Sequence, residues 1–194
     1  MKETDLRVIK TKKALSSSLL QLLEQHLFQT ITVNQICHNA LVHRTTFYKH
    51  FYDKYDLLEY LFNQLTKAYF ATDISDRLNH PFQTINDTIN NKEDLQKVAD
   101  FQQEDAEFNK VLKNVCIKIM NDDIKNNCDR IDVDGDIPNN LLFYIYGSLI
   151  EGFLHWIKDE KIDWPSEEID KIFHKVIILR LNSRLEAHKR YQHS

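Results

Sequence analysis

Residues Val42 to Phe51 read VHRTTFYKHF. Arg44, Lys49 and His50 bring positive or titratable donors, Thr45 and Thr46 bring hydroxyls, and Phe47, Tyr48 and Phe51 bring rings. The ordinary reading of such a stretch is an exposed helical turn with its rings tucked inward. The alternative is a binding surface, and the neighbouring elements have to decide. Bond-making chemistry has little support. The chain has no Gly-rich phosphate loop, no His-Glu-x-x-His, no Cys-x-x-Cys and no recognisable Ser/His/Asp signature, and its nine histidines are dispersed.

The elements that must position this stretch can be read on both sides of it. Val8, Leu15, Leu19, Leu22 and Leu23 recur at helical spacing, which predicts a first helix over about residues 5–25. Lys10, Lys12 and Lys13 lie near its start, where the helix dipole disfavours cations. Solvation and a nearby phosphate both account for them. Thr32 with Gln35 is a capping-box pattern, and Val33, Ile36, Cys37 and Ala40 then line one apolar face. This second helix has about two turns and ends near residues 39–40. After a break at Leu41 and Val42 the opening stretch forms a third short helix, and Asp53 can cap a fourth. In that fourth helix Leu57, Leu58, Leu61, Phe62, Leu65 and Tyr69 keep helical spacing.

Two short helices joined by a tight turn and braced by longer ones make a helix-turn-helix. Helices this short are marginal alone, so packing must hold them. Phe47 and Phe51, four residues apart, supply the anchor. Arg44, Thr45, Tyr48 and Lys49 are left to face outward.

Composition sets the frame. Of 194 residues 42% are hydrophobic and 28% charged, enough for a core in a soluble protein of one or two domains. Only three glycines and three prolines leave few turns for sheets, so the fold class is all-α. No membrane span and no secretory leader is read. Cys37, Cys116 and Cys128 are too scattered for a disulfide framework or zinc site, and they suit a reducing cytoplasm. No cofactor is expected. The net charge of −4 hides an asymmetry: residues 1–60 carry +2 and the remainder −6. That asymmetry permits a nucleic-acid partner without requiring one.

The run ITVNQICHNALVHRTTFYKHFYDKYDLL resembles the TetR family of bacterial transcriptional regulators. The likeness covers about residues 7–62. It rests on a Thr-Val helix start, Ile and Ala in the second helix, a threonine-aromatic-Tyr-x-His-Phe recognition helix, a following Lys and a Leu-Leu pair. The resemblance implies a recognition helix in the major groove of double-stranded DNA. Arg44, Thr45 and Lys49 would contact base edges, with Asn34 from the second helix. Thr46, Tyr48, His50 and Lys54 would contact phosphates, with Thr32 adding a contact from its helix start. Two departures stand out. Leu41 occupies a turn position that usually holds Gly or Asn, and His43 replaces a helix-start serine, a poorer cap.

The resemblance divides the chain into a DNA-binding domain, 1–52, and a helical dimerisation and effector domain, 53–194, connected by a helix over 53–72. Within the latter, 71–92 reads as a connection with a short helix inside, followed by helices over 93–103 and 108–127. DVDGD at 132–136 lacks the acidic residues a calcium loop needs at its ends and reads as a solvated loop. Gly147 and Gly152 interrupt a strong helical run at about 1 kcal/mol each relative to Ala. Close approach of another backbone would explain them, from a second copy or from this chain.

The looser C-terminal likeness implies that this helix and the one over 167–188 pair with their copies in a homodimer. Gly147, Leu149, Gly152, Phe153, Trp156, Ile172, Val176 and Leu179 are the expected interface. An effector pocket would draw on Phe101, Phe108, Ile119, Tyr144, Tyr146 and His155, although such a set also suits plain core packing. The leading expectation is a homodimeric repressor on a palindromic operator, released by a small-molecule or protein effector. The alternatives are a protein-partnered regulator that senses no small ligand and an interaction module that keeps the fold.

Overall fold

A computed structural model describes residues 5–90, 93–127 and 139–177. Among them every regular element is helical. The order is α1 (Leu6–Leu23), a 3-10 turn (Phe28–Thr30), α2 (Val33–Asn39), α3 (Arg44–Phe47), α4 (Lys54–Leu65) and α5 (Lys67–Ala71). There follow α6 (Ile74–Asn79), α7 (Pro81–Ile85) with a wide turn over Asn86–Asn90, α8 (Glu93–Phe101), α9 (Ala106–Asn127), α10 (Asn139–Asp159) and α11 (Ser166–Ile177). The all-α expectation is met.

Local chemistry sets the helix starts. The Asp5 carboxylate accepts from Arg7 N–H at 3.0 Å and begins α1. Asp53 accepts from the N–H groups of Tyr55 and Asp56 at 2.8 and 2.9 Å and begins α4. Each cap satisfies amides that the helix itself leaves unpaired.

Two sequence expectations need correction. The connecting helix over 53–72 is not continuous. It stops at Leu65, where Thr66 Oγ1 donates to the Phe62 carbonyl at 2.8 Å; a hydroxyl bonded back one turn favours a bend. The connection over 71–92 is more helical than its polar composition suggests. Asp73 caps α6 through Ser75 N–H at 2.9 Å, and Pro81 opens α7 where a missing N–H costs nothing. Ile74 and Phe82 are buried from these helices, so packing overrides composition. The end of the expected 167–188 helix, Leu179, Cys128 and the DVDGD loop lie outside the described residues.

Packing divides the chain into two compact units. One comprises residues 1–68 and 89–116, the other 69–88 and 117–194. The first therefore joins α4, α8 and the start of α9 to the helix-turn-helix, a grouping that differs from a functional boundary at residue 52. Its core gathers Leu15, Leu19, Phe28, Ile36, Phe47, Leu57 and Leu58, all fully buried, from α1 to α4. Each such side chain contributes about 1.5–3 kcal/mol by leaving water. The second unit has a smaller core of Phe82, Ile169 and Phe173. There Asp170, buried in α11, caps α7 by accepting from the N–H groups of Phe82 and Gln83 at 2.8 and 3.1 Å. Burial pushes the Asp170 carboxyl upward, and those two amides oppose the shift.

Candidate nucleic-acid interface

The recognition surface depends on how α2 ends. The capping box forms at its start: Gln35 N–H donates to Thr32 Oγ1 at 3.3 Å, and Thr32 N–H donates to Gln35 Oε1 at 2.8 Å. At its end, Leu41 N–H donates to the His38 carbonyl and Val42 N–H to the Cys37 carbonyl, at 3.2 and 2.9 Å. These two bonds make a Schellman motif, which requires a left-handed residue at Leu41. Leu41 indeed has φ 54° and is 93% exposed. A residue type that disfavours this conformation therefore holds it without any compensating burial. From α1, Ser18 Oγ donates to the Ile36 carbonyl at 2.9 Å and fixes α2 in place.

α3 follows with His43 as its N-cap, and no side-chain cap forms there. Beyond Phe47 the chain continues in turns to Phe51, whose N–H donates to the Phe47 carbonyl at 2.9 Å. Phe47 is 0% exposed and its ring meets those of Tyr48 and Phe51 at 5.3 and 5.8 Å. Anchored this way, the segment leaves Arg44, Thr45, Tyr48 and Lys49 exposed, Tyr48 at 51%, and Thr46 and His50 partly exposed. Asn34 is exposed on α2. Arg44 Nη2 donates to Tyr48 Oη at 3.2 Å, and its guanidinium carbon sits 5.7 Å from that ring's centre. The pair holds a planar cation and a phenol side by side at the surface.

Two expected contact residues are otherwise engaged. The Lys54 side chain is only 14% exposed, and its ammonium donates to the Phe28 and Gln29 carbonyls at 2.8 and 3.1 Å. It also lies 3.9 Å from Glu107 and over the rings of Phe28 and Tyr55. Burial lowers its pKa. Lys54 thus ties α4 to the preceding turn, one step behind the surface. The Thr32 hydroxyl is held within its own cap.

Sequence reasoning missed the corner that supports this arrangement. Gln102 and Asp105, both 0% exposed, dock between α8 and α9 onto the turn after α1. Gln102 Oε1 accepts from Phe28 N–H at 3.0 Å, and its Nε2 donates to the Leu23 and His26 carbonyls, both at 2.7 Å. Asp105 accepts from the N–H groups of Gln29 and Phe108 at 3.0 and 2.9 Å. Tyr55 hydrogen-bonds Glu107, which pushes its phenol up to about 12. The one readable signal was Asp105 itself, an N-cap type before an apolar-periodic run.

The other expected sites are placed as follows. Leu149 and Phe153 pack within the second unit against Phe82, Ile169 and Phe173. Trp156 is half-buried, with ring contacts to Phe153 and Trp164 at 5.9 and 5.8 Å. Ile172 is half-buried, and Val176 is 47% exposed. Gly147 is partly buried, while a Cβ added at Gly152 would meet nothing within 4 Å. Of the pocket candidates, Phe108 is a core ring of the first unit, edge-on to Phe28 and Phe62. Phe101 is 43% exposed. In the second unit Ile119 is partly buried, and Tyr144 and His155 are exposed. Tyr146 donates its hydroxyl to the Arg77 carbonyl at 3.0 Å and packs on Phe173. Arg77 is itself buried and pairs with Asp123, its Nη2 donating at 3.0 Å. Two shallow surface recesses, lined by residues between Gln21 and Asn39, include none of the six pocket candidates.

No protein-family model and no curated protein matches the sequence. Solved structures do. NalD of Pseudomonas aeruginosa, the secondary repressor of the MexAB-OprM multidrug efflux pump, superposes with a TM-score of 0.54 at 16% identity, over 89% of this chain and 95% of that one. Reduced NemR of E. coli gives 0.51 at 15% identity, over 85% and 96%. At this identity the likeness establishes the fold alone: the chain shares the all-helical architecture of these two structures.

Proposed function

We propose that the protein is a sequence-specific DNA-binding transcriptional regulator, acting as a repressor in homodimeric form. One observation carries the reading. A recognition segment held by the buried Phe47 and Phe51 turns Arg44, Thr45, Tyr48 and Lys49 outward, in a fold shared with two bacterial regulators. Arg44 and Lys49 suit guanine edges, with Thr45 and Asn34 as neutral partners, and a good bidentate pair discriminates by about 1–3 kcal/mol. Thr46, Tyr48 and His50 suit backbone phosphates, which position without reading sequence. This is binding, and no step of it calls for an enzyme. Dimerisation is supported by α10, where Leu141, Tyr144 and Ile145 are each about half exposed and share a face with Ser148, Gly152 and His155. The small residues there would let a second copy approach closely. An effector role rests on the resemblance: the two surface recesses between Gln21 and Asn39, both in the first unit, include none of the six candidates.

The experiment is footprinting on the DNA upstream of the protein's own gene, followed by affinity measurement on the protected sequence against a scrambled one. A two-fold symmetric protected site, with salt-dependent affinity well above that for the scramble, is expected. Arg44→Ala should relax discrimination at one position in each half-site. Equal, salt-insensitive affinity for both sequences would overturn the reading.

A further inference from the structure

Solvation and a nearby phosphate both accounted for Lys12 in the sequence, and the fold brings it beside the recognition segment. Its ammonium lies 5.8 Å from the centre of the Phe51 ring and 5.2 Å from that of Tyr60. Phe51 is the buried residue that closes the segment, directly after His50. α1 therefore delivers a positive charge to the same end of the segment where His50 stands partly exposed. We propose that Lys12 and His50 together hold one backbone phosphodiester of the bound duplex, and that this phosphodiester enters with a proton on the His50 imidazole. The inference rests on the DNA-binding reading and deepens it.

The electrostatics follow from what faces His50. From its own turn comes Lys49, and from α1 comes Lys12. On α4 the Tyr60 ring packs on Phe51, centroids 5.4 Å apart, with Glu59 one residue before it in the chain. Partial burial, then the Lys12 and Lys49 ammoniums, hold the imidazole below its ordinary range. In the free protein this favours the uncharged imidazole. A phosphodiester placed beside Lys12 reverses the local field and favours imidazolium. The bound state then holds one more proton per His50, taken from solvent. The sign is fixed by linkage: affinity rises as pH falls through the bound-state pKa and levels off below the free-state pKa.

The test uses the full chain and a fluorescein-labelled mixed-sequence duplex several helical turns long. Anisotropy is measured at constant ionic strength from about pH 8 to about pH 5.5, the window in which histidine titrates. Affinity should rise on acidification by up to about tenfold per pH unit for each His50 engaged. His50→Gln should flatten that profile. Lys12→Gln should weaken binding, reduce the salt slope by about one ion per protomer and shrink the proton uptake. NMR titration of the His50 ring should show a lower pKa without DNA than with it. Salt-dependent binding whose pH profile is unchanged in His50→Gln, or a His50 ring that titrates identically with and without DNA, overturns the inference and leaves the DNA-binding reading standing. No salt-dependent binding at any pH overturns both.

Discussion

In the first packing unit, Gln102 and Asp105 are completely buried, and their side chains hydrogen-bond to backbone around the α1 turn and the start of α9. In the second, α10 turns Leu141, Tyr144, Ile145 and Leu154 outward at 41–50% exposure. One unit is closed by its own polar side chains, while the other carries an apolar face that is left half exposed among the described residues. Under the proposed function the difference would match two tasks. A surface that reads DNA has to be held rigidly by groups behind it, because a recognition segment of one helical turn has no stability of its own. A surface that receives a second copy has to stay apolar and open until the copy arrives.

The sharpest way to break this comparison is to remove the anchor of the closed unit. Phe47→Ala deletes a ring that is 0% exposed and should cost about 3–5 kcal/mol, read by urea unfolding, with DNA binding lost alongside. A loss under about 1 kcal/mol, well below that range, would mean that the segment is held by something other than its core.

Next in size is Asp105→Ala. It strips the acceptor from Gln29 N–H and Phe108 N–H, at about 1–3 kcal/mol for each donor left buried. Asp105→Asn keeps one acceptor oxygen and should lose less. Equal losses for the two variants would show that charge, not hydrogen bonding, holds the corner.

Leu41→Gly should act in the opposite direction. The substitution relieves about 1–2 kcal/mol of left-handed strain, offset by about 0.4–1 kcal/mol from a looser unfolded chain. With Leu41 93% exposed, no burial is forfeited, so thermal unfolding should register no loss and a gain of up to about 1.5 kcal/mol.

The smallest stability effect belongs to the open unit. Ile145→Ser, at a position 49% exposed, should change the intrinsic stability of the chain by no more than about 0.5 kcal/mol. Sedimentation should nevertheless show a weaker dimer. If the variant unfolded the chain instead, the face would be a core surface and the contrast between the units would fail.

Much of the recognition region was legible because its determinants are local. Asp5, Thr32 with Gln35 and Asp53 cap helices within three residues of themselves, so residue type and spacing suffice to place each start. At Leu41 the signal was the resemblance rather than the residue type, and the Schellman bonds of its immediate neighbours impose the left-handed conformation. Phe47 and Phe51 declared themselves by spacing. What the tertiary structure alone decided involves partners far apart in the chain. Lys54 matched a phosphate-contacting position by alignment, yet its ammonium finds carbonyls twenty-five residues and more away. Gln102 reaches back seventy-four to seventy-nine residues, Arg77 meets Asp123 across forty-six, and Asp170 caps a helix eighty-eight residues earlier. Lys12 beside the recognition segment is of the same kind. A local pattern records a residue's preference for a helix face or a cap, because that preference is set within one turn of chain. Which distant backbone a buried polar side chain satisfies depends on how the helices pack, and no spacing in the sequence encodes it.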